Sequence, residues 1–143
     1  MQSVTTSHWL ALKKRLSTLV TAPAMTAFDP GDVVNPPKDG SNNPLPFILL
    51  SDVRNPNRRW GIAASASENS GTFMITVQWP LSRAVTHAQL IEIGGQIAAH
   101  FPADLCMSFG GKQIRVTGKS DVVQPYVDGA YRVMPVLVFW STT

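Results

Sequence analysis

The residues able to carry covalent or metal chemistry are few and far apart. His8 lies near the start, and His87 and His100 lie at the two ends of one predicted helix. None has a second His or Cys at the short spacing that a tetrahedral zinc site needs, so no metal site is expected. His100 suits the negative end of that helix, which is reason enough for it. Cys106 is the single cysteine. It has no neighbouring base to activate a thiolate, and no nucleophile elbow occurs elsewhere. The run 108–113, Ser-Phe-Gly-Gly-Lys-Gln, superficially resembles a phosphate-binding loop. That loop requires glycine at 106 and Ser or Thr at 113, where this chain has Cys106 and Gln113. The nine acids are scattered, and the nearest pair, Asp29 with Asp32, sits among prolines where turn formation accounts for it. No catalytic residue, metal ligand or cofactor site follows, and the expectation is a non-enzyme.

Binding chemistry is better represented. Residues 54–60, Arg-Asn-Pro-Asn-Arg-Arg-Trp, hold three arginines and no acid. Arg54, Arg58, Arg59 and Trp60 can serve nucleic acid or a protein interface, or form a turn with the tryptophan tucked onto a sheet. Lys13, Lys14 and Arg15 form a second basic cluster, read as a solvated helix face or as a contact for an acidic partner or phosphates.

The whole-chain figures set the frame. A chain of 143 residues with 44% hydrophobic content is expected to form one domain, 1–143, with a real core. Charged residues make up 15%, against roughly 25% in typical soluble domains. A surface so poor in charge is either covered by partners or built from Ser, Thr, Asn and Gln. The net charge of +3 is too mild to announce a nucleic-acid binder. One cysteine excludes an internal disulfide. Residues 1–8 show no signal-peptide pattern, and no run approaches the ~18 apolar residues that would cross a membrane.

These features must be positioned by a modest set of elements. Over residues 72–79, Phe73, Ile75, Val77 and Trp79 alternate with Thr72, Met74, Thr76 and Gln78, which predicts a half-buried strand ended by Pro80. The period then changes. Leu90, Ile93, Gly94, Ile97, Ala98 and Phe101 share one face of a helix. Thr86 with Gln89 forms a capping box, Val85 and Leu90 a hydrophobic staple, and Pro102 the stop. Gly94 and Gly95, mid-helix, each weaken it by about 0.5–1 kcal/mol relative to alanine, so Gly94 on the apolar face is read as close packing against the sheet or a neighbouring subunit. An earlier helix is predicted over residues 8–20, capped by Thr5, Thr6 or Ser7, with Trp9, Leu12, Leu16, Leu19 and Val20 as its stripe.

Residues 21–46, with six prolines, read as a long irregular loop, either an arm over a neighbour or a surface excursion. Residues 47–53 read as a strand; 61–70 as the start of a strand that finishes as a loop. Residues 105–109 and 112–118 form a hairpin about Gly110-Gly111, and 118–129 a connection. Residues 131–140 are the most apolar run. Such a run predicts a strand covered on both faces, while Pro135 predicts an edge position or a bulge, guarded by another subunit. The order gives an α+β domain: a mostly antiparallel mixed sheet, with an N-terminal helix and one central amphipathic helix packed on it.

Residues 46–141 carry a resemblance. A strand Phe73-Met-Ile-Thr-Val-Gln-Trp79-Pro80 precedes the helix ending Ile97-Ala-Ala-His-Phe101. Then come Gly110-Gly111-Lys-Gln-Ile114-Arg115-Val116 and a closing strand from Asp128-Gly129-Ala-Tyr131-Arg132-Val133 through Met134-Pro135-Val136. In order and motif this resembles the tail-terminator, or tail-completion, proteins of tailed bacteriophages. The resemblance implies a structural virion protein made in the host bacterial cytoplasm. It implies a homo-oligomeric ring, typically a hexamer, at the head-proximal end of the tail tube. Its partners would be the tail tube protein and the head–tail connector, with genomic DNA passing through the lumen. On that reading Arg54, Arg58, Arg59, Trp60, Gly94, Gly95 and Pro135 are candidates for interface or lumen. The alternatives are another neck or head–tail joining protein, or a nucleic-acid-binding module centred on residues 54–60.

Overall fold

Two long strands carry the molecule. In the computed structural model, which describes residues 3–20, 24–56, 58–59 and 67–142, β5 (Ser70–Pro80) pairs with β10 (Tyr131–Ser141) along its whole length. The period-two pattern dictates their sidedness. Phe73, Ile75, Val77 and Trp79 of β5 are buried, as are Met134, Val136, Val138 and Trp140 opposite them. β2 (Phe47–Arg54) lies antiparallel to β5 on its other side and adds Ile48 and Leu50 to the buried face.

β1 (Thr26–Phe28) extends the sheet beyond β2 in parallel, and the remaining pairings are antiparallel. Along the far edge of β10 lie β9 (Tyr126–Asp128), β8 (Asp121–Val122) and β7 (Lys112–Val116) in turn, with β6 (Cys106–Phe109) outside β7. A separate two-stranded ribbon joins β3 (Arg58–Arg59) to β4 (Ser67–Glu68).

Both helices cover the buried face. α2 (His87–His100) begins with the predicted capping box: Gln89 N–H donates to Thr86 Oγ1 at 3.1 Å and Thr86 N–H to Gln89 Oε1 at 3.0 Å. Its buried residues Leu90, Ile93, Gly94 and Ile97 face the sheet. α1 (Val4–Ser17) starts earlier than the sequence suggests, with Ser3 as its cap, accepting from Thr6 N–H at 3.2 Å. Ala11, Leu12 and Leu16 are its buried apolar residues, whereas Val20 lies past the helix end and is 90% exposed. Trp9 of α1, Phe73 of β5 and Phe101 after α2 form an edge-on aromatic chain, with centroids 5.5 and 6.1 Å apart. The helix C-termini are also tied: Arg15 Nε donates to His100 O at 2.9 Å, and His100 Nε2 lies 2.8 Å from Arg15 O. His100 thus does more than meet a helix dipole.

Three expectations are corrected. The 21–46 segment contains β1 and a Lys38–Pro44 bridge, and the 118–129 connection contains β8 and β9. Strands of two or three residues are too short to show periodicity. β10 is not an edge strand. Pro135 is tolerated because its carbonyl, which accepts from Val123 N–H at 2.9 Å, points away from β5. In an antiparallel strand the N–H of the same residue points the same way. The missing donor therefore falls at the break between β9 and β8 and spares the β5 ladder. The Gly110-Gly111 turn is as expected, with both glycines at positive φ.

Candidate interaction surface

The outward face of the central sheet is the counterpart of its buried face. Register places Leu49, Ser51 and Val53 of β2, Thr72, Met74 and Thr76 of β5, and Pro135, Leu137 and Phe139 of β10 side by side. None of these nine positions carries a charge. All are half-buried or exposed, and Val53 and Phe139 are 54% and 37% exposed. Among the described residues no helix lies over this face. At one end it is closed by rings: Phe28 and Tyr131 meet Phe47 edge-on at 5.6 and 5.4 Å. The rest is a charge-free apolar and hydroxyl surface, of the kind that marks protein contact.

Beside it runs a groove of about 920 Å³ between the C-terminal half of α2 and the chain leading into β8, touching Gly95, Ala98, Ala99, Val122 and Phe139. Gly95 opens onto this side, and a Cβ there would meet nothing within 4 Å. Gly94 differs. A Cβ at Gly94 would lie 2.8 Å from Val122 Cγ1 and 2.9 Å from Met134 Sδ. The close approach at Gly94 is therefore between α2 and its own sheet.

The basic candidates separate as well. Arg54 is drawn inward: Nε donates to Asp52 Oδ2 at 3.0 Å, Nη2 donates to Thr5 O at 3.0 Å, and Cζ lies 5.1 Å from the centroid of a Trp140 ring. Arg58 and Arg59 sit on the β3–β4 ribbon, and Trp60 lies outside the described residues. Lys13 is ion-paired with Asp29, and Lys14 is exposed.

Sequence reasoning missed the environment that holds Arg54. His8 is 2% exposed and its ring lies 5.5 Å from that of Trp140. Burial first, and then the nearby Arg54 and Lys112 charges, hold the His8 pKa below its ordinary value. Burial pushes the Asp52 carboxyl up, against the opposing pull of Arg54 and of the Trp140 indole. The indole faces the carboxylate, yet Trp140 Nε1, Asp52 Oδ1 and His8 Nδ1 all lack a hydrogen bond of good geometry. The signal was legible only as spacing: Asp52 and Arg54 are two apart and so share a face of β2. Nothing in the sequence placed His8 and Trp140 against that face.

The domain is a mixed sheet with two helices on one side and, among the described residues, an uncharged face with no helix over it on the other. Among the described residues no three His, Cys, Asp or Glu side chains are grouped to hold a metal, and no helix is long and apolar enough to cross a membrane. The chain belongs to the phage tail terminator family: the sequence model described as "Phage tail terminator protein" matches residues 8–140. Its class is therefore a structural protein of the phage virion tail, a family that suggests no enzymatic role. No curated protein matches the chain. One solved structure is similar with 20% identity and a TM-score of 0.67, over 94% of this chain and 92% of that one, and this likeness concerns the fold.

Proposed function

We propose that this protein forms a ring, a hexamer by analogy with its family, at the head-proximal end of the phage tail tube. There it ends tube polymerisation and joins the tail to the head connector. Genomic DNA passes through the lumen without sequence-specific contact. The chain is made in the host cytoplasm and does no covalent chemistry.

One observation carries the reading beyond family membership: the charge-free outward face of β2, β5 and β10, which no helix covers among the described residues. Burying apolar surface gains about 25 cal/mol per Å², so such a face favours protein contact over water. Arg58 and Arg59 are proposed for the lumen or the tube contact, with Trp60 beside them and Gly95 at a subunit seam. Arg54 and Gly94 are satisfied within the chain, which moves them down that ranking, and Pro135 adds its ring to the uncharged face.

Phages lacking the protein should carry tails of uncontrolled length, and electron micrographs of the purified protein should show rings. Replacing Arg58 and Arg59 together with serine should reduce the yield of joined particles. Tails of normal length in the phage lacking the protein would overturn the reading. Salt-dependent binding of the isolated chain to DNA would favour the alternative, a nucleic-acid module.

A further inference from the structure

Polar groups and one aromatic, Trp9 edge-on against Phe73, hold the N-terminal half of α1. Its buried residues are Ser7 and His8, at 3% and 2% exposure, whereas Ala11, Leu12 and Leu16 of the second half are apolar. Ahead of Trp9, the helix is fixed by the His8 ring against Trp140 and by the Arg54 bond to Thr5 O. All three buried side-chain atoms found without a partner among the described residues belong to this one cluster. A half-satisfied buried network is costly to keep closed.

The charges that face His8 are cations on balance. From β2 come Asp52 and Arg54, and from β7 comes Lys112. β6 offers only Cys106 as an ionisable group, and β5 offers none. Near Trp140, β10 adds an indole and no charge.

We propose that His8 makes the start of α1 a pH-operated latch: with its ring neutral, residues 5–8 stay seated against Trp140 and Arg54, and a proton on the ring releases them while Trp9, Leu12 and Leu16 remain docked. Released, His8 regains its ordinary pKa of 6.5; docked, it lies lower. The open form thus takes up a proton that the closed form refuses. Docking is at full strength above about 6.5 and drains as pH falls toward the docked value. Asp52 works the other way. Its docked pKa is raised above 3.8, so the closed form holds the extra proton and gains as pH falls through that range.

Hydrogen exchange on the full chain, corrected for intrinsic rates, tests this between pH 7.5 and 5.5. Protection of residues 7–10 should fall by up to about tenfold per pH unit, while that of α2 stays level. His8→Phe and His8→Gln should each flatten the dependence. NMR titration of His8 in the unaltered protein should give a pKa below 6.5. An equal pH dependence in either variant, loss of α1 and α2 protection in concert, or a His8 pKa at or above its ordinary value would overturn the latch.

Discussion

The two helices are of equal length, 14 residues each, and lie on the same face of one sheet, yet they are fastened by different means. α2 is held by shape. Leu90, Ile93, Ile97 and Phe101 are each at most 6% exposed, and Gly94 brings the helix axis against Met134 and Val122. α1 is held by buried aliphatic residues only in its second half; in its first, Trp9 meets Phe73, the His8 imidazole meets Trp140, and the guanidinium of Arg54, itself paired with Asp52, holds Thr5 O. Apolar burial is non-directional and indifferent to protonation. A buried polar anchor holds only while its charges stay matched, so the same fold contains one fixed helix and one conditional helix.

That contrast can be broken most forcefully at Gly94. Gly94→Leu forces four side-chain carbons into a site where the first already meets Val122 and Met134, and should lower stability by about 2–3 kcal/mol in denaturant melts. An unchanged midpoint would mean that α2 is not held by close packing. Thr86→Ala removes one half of the capping box and should cost about 1 kcal/mol, read in the same melts. It should leave the pH response of α1 untouched. The smallest effect belongs to Gly95→Ala. With nothing within 4 Å and ordinary helical backbone, the alanine should stabilise the isolated chain by about 0.5–1 kcal/mol. If Gly95 also serves a subunit seam, Gly95→Leu should leave the monomer folded and reduce ring formation seen by light scattering.

The legible parts of this protein were those whose signal repeats. Over residues 72–79 of β5 the alternation is unbroken, and over α2 the apolar face, cap and stop agree with one another. Consistency between local signals and the final fold is what makes such elements readable. β1, β8 and β9 were not readable, because two or three residues hold no period and are strands only by virtue of the neighbour they pair with. α1 was read in place but not in register. Ser3, Thr5, Thr6 and Ser7 are all acceptable caps by residue type, and Ser3 is the one that caps α1. Pro135 was misread, since a proline excludes one hydrogen bond without saying on which side of the strand that bond would fall.

The candidate site divides along the same line. That β5 carries two unlike faces, that α2 has an apolar stripe with a glycine in it, and that motif order matches a tail terminator, were all present in the chain, whereas β10, expected to be covered on both faces, leaves Pro135, Leu137 and Phe139 half-buried or exposed. That Arg54 is consumed internally, and that Gly94 serves the core, were decided by tertiary structure. So was the meeting of His8, Asp52, Arg54 and Trp140. Periodicity is a property of neighbours along the backbone, whereas pairing between residues separated by 46 or 86 positions depends on how strands and helices are stacked, and no local pattern encodes that stacking.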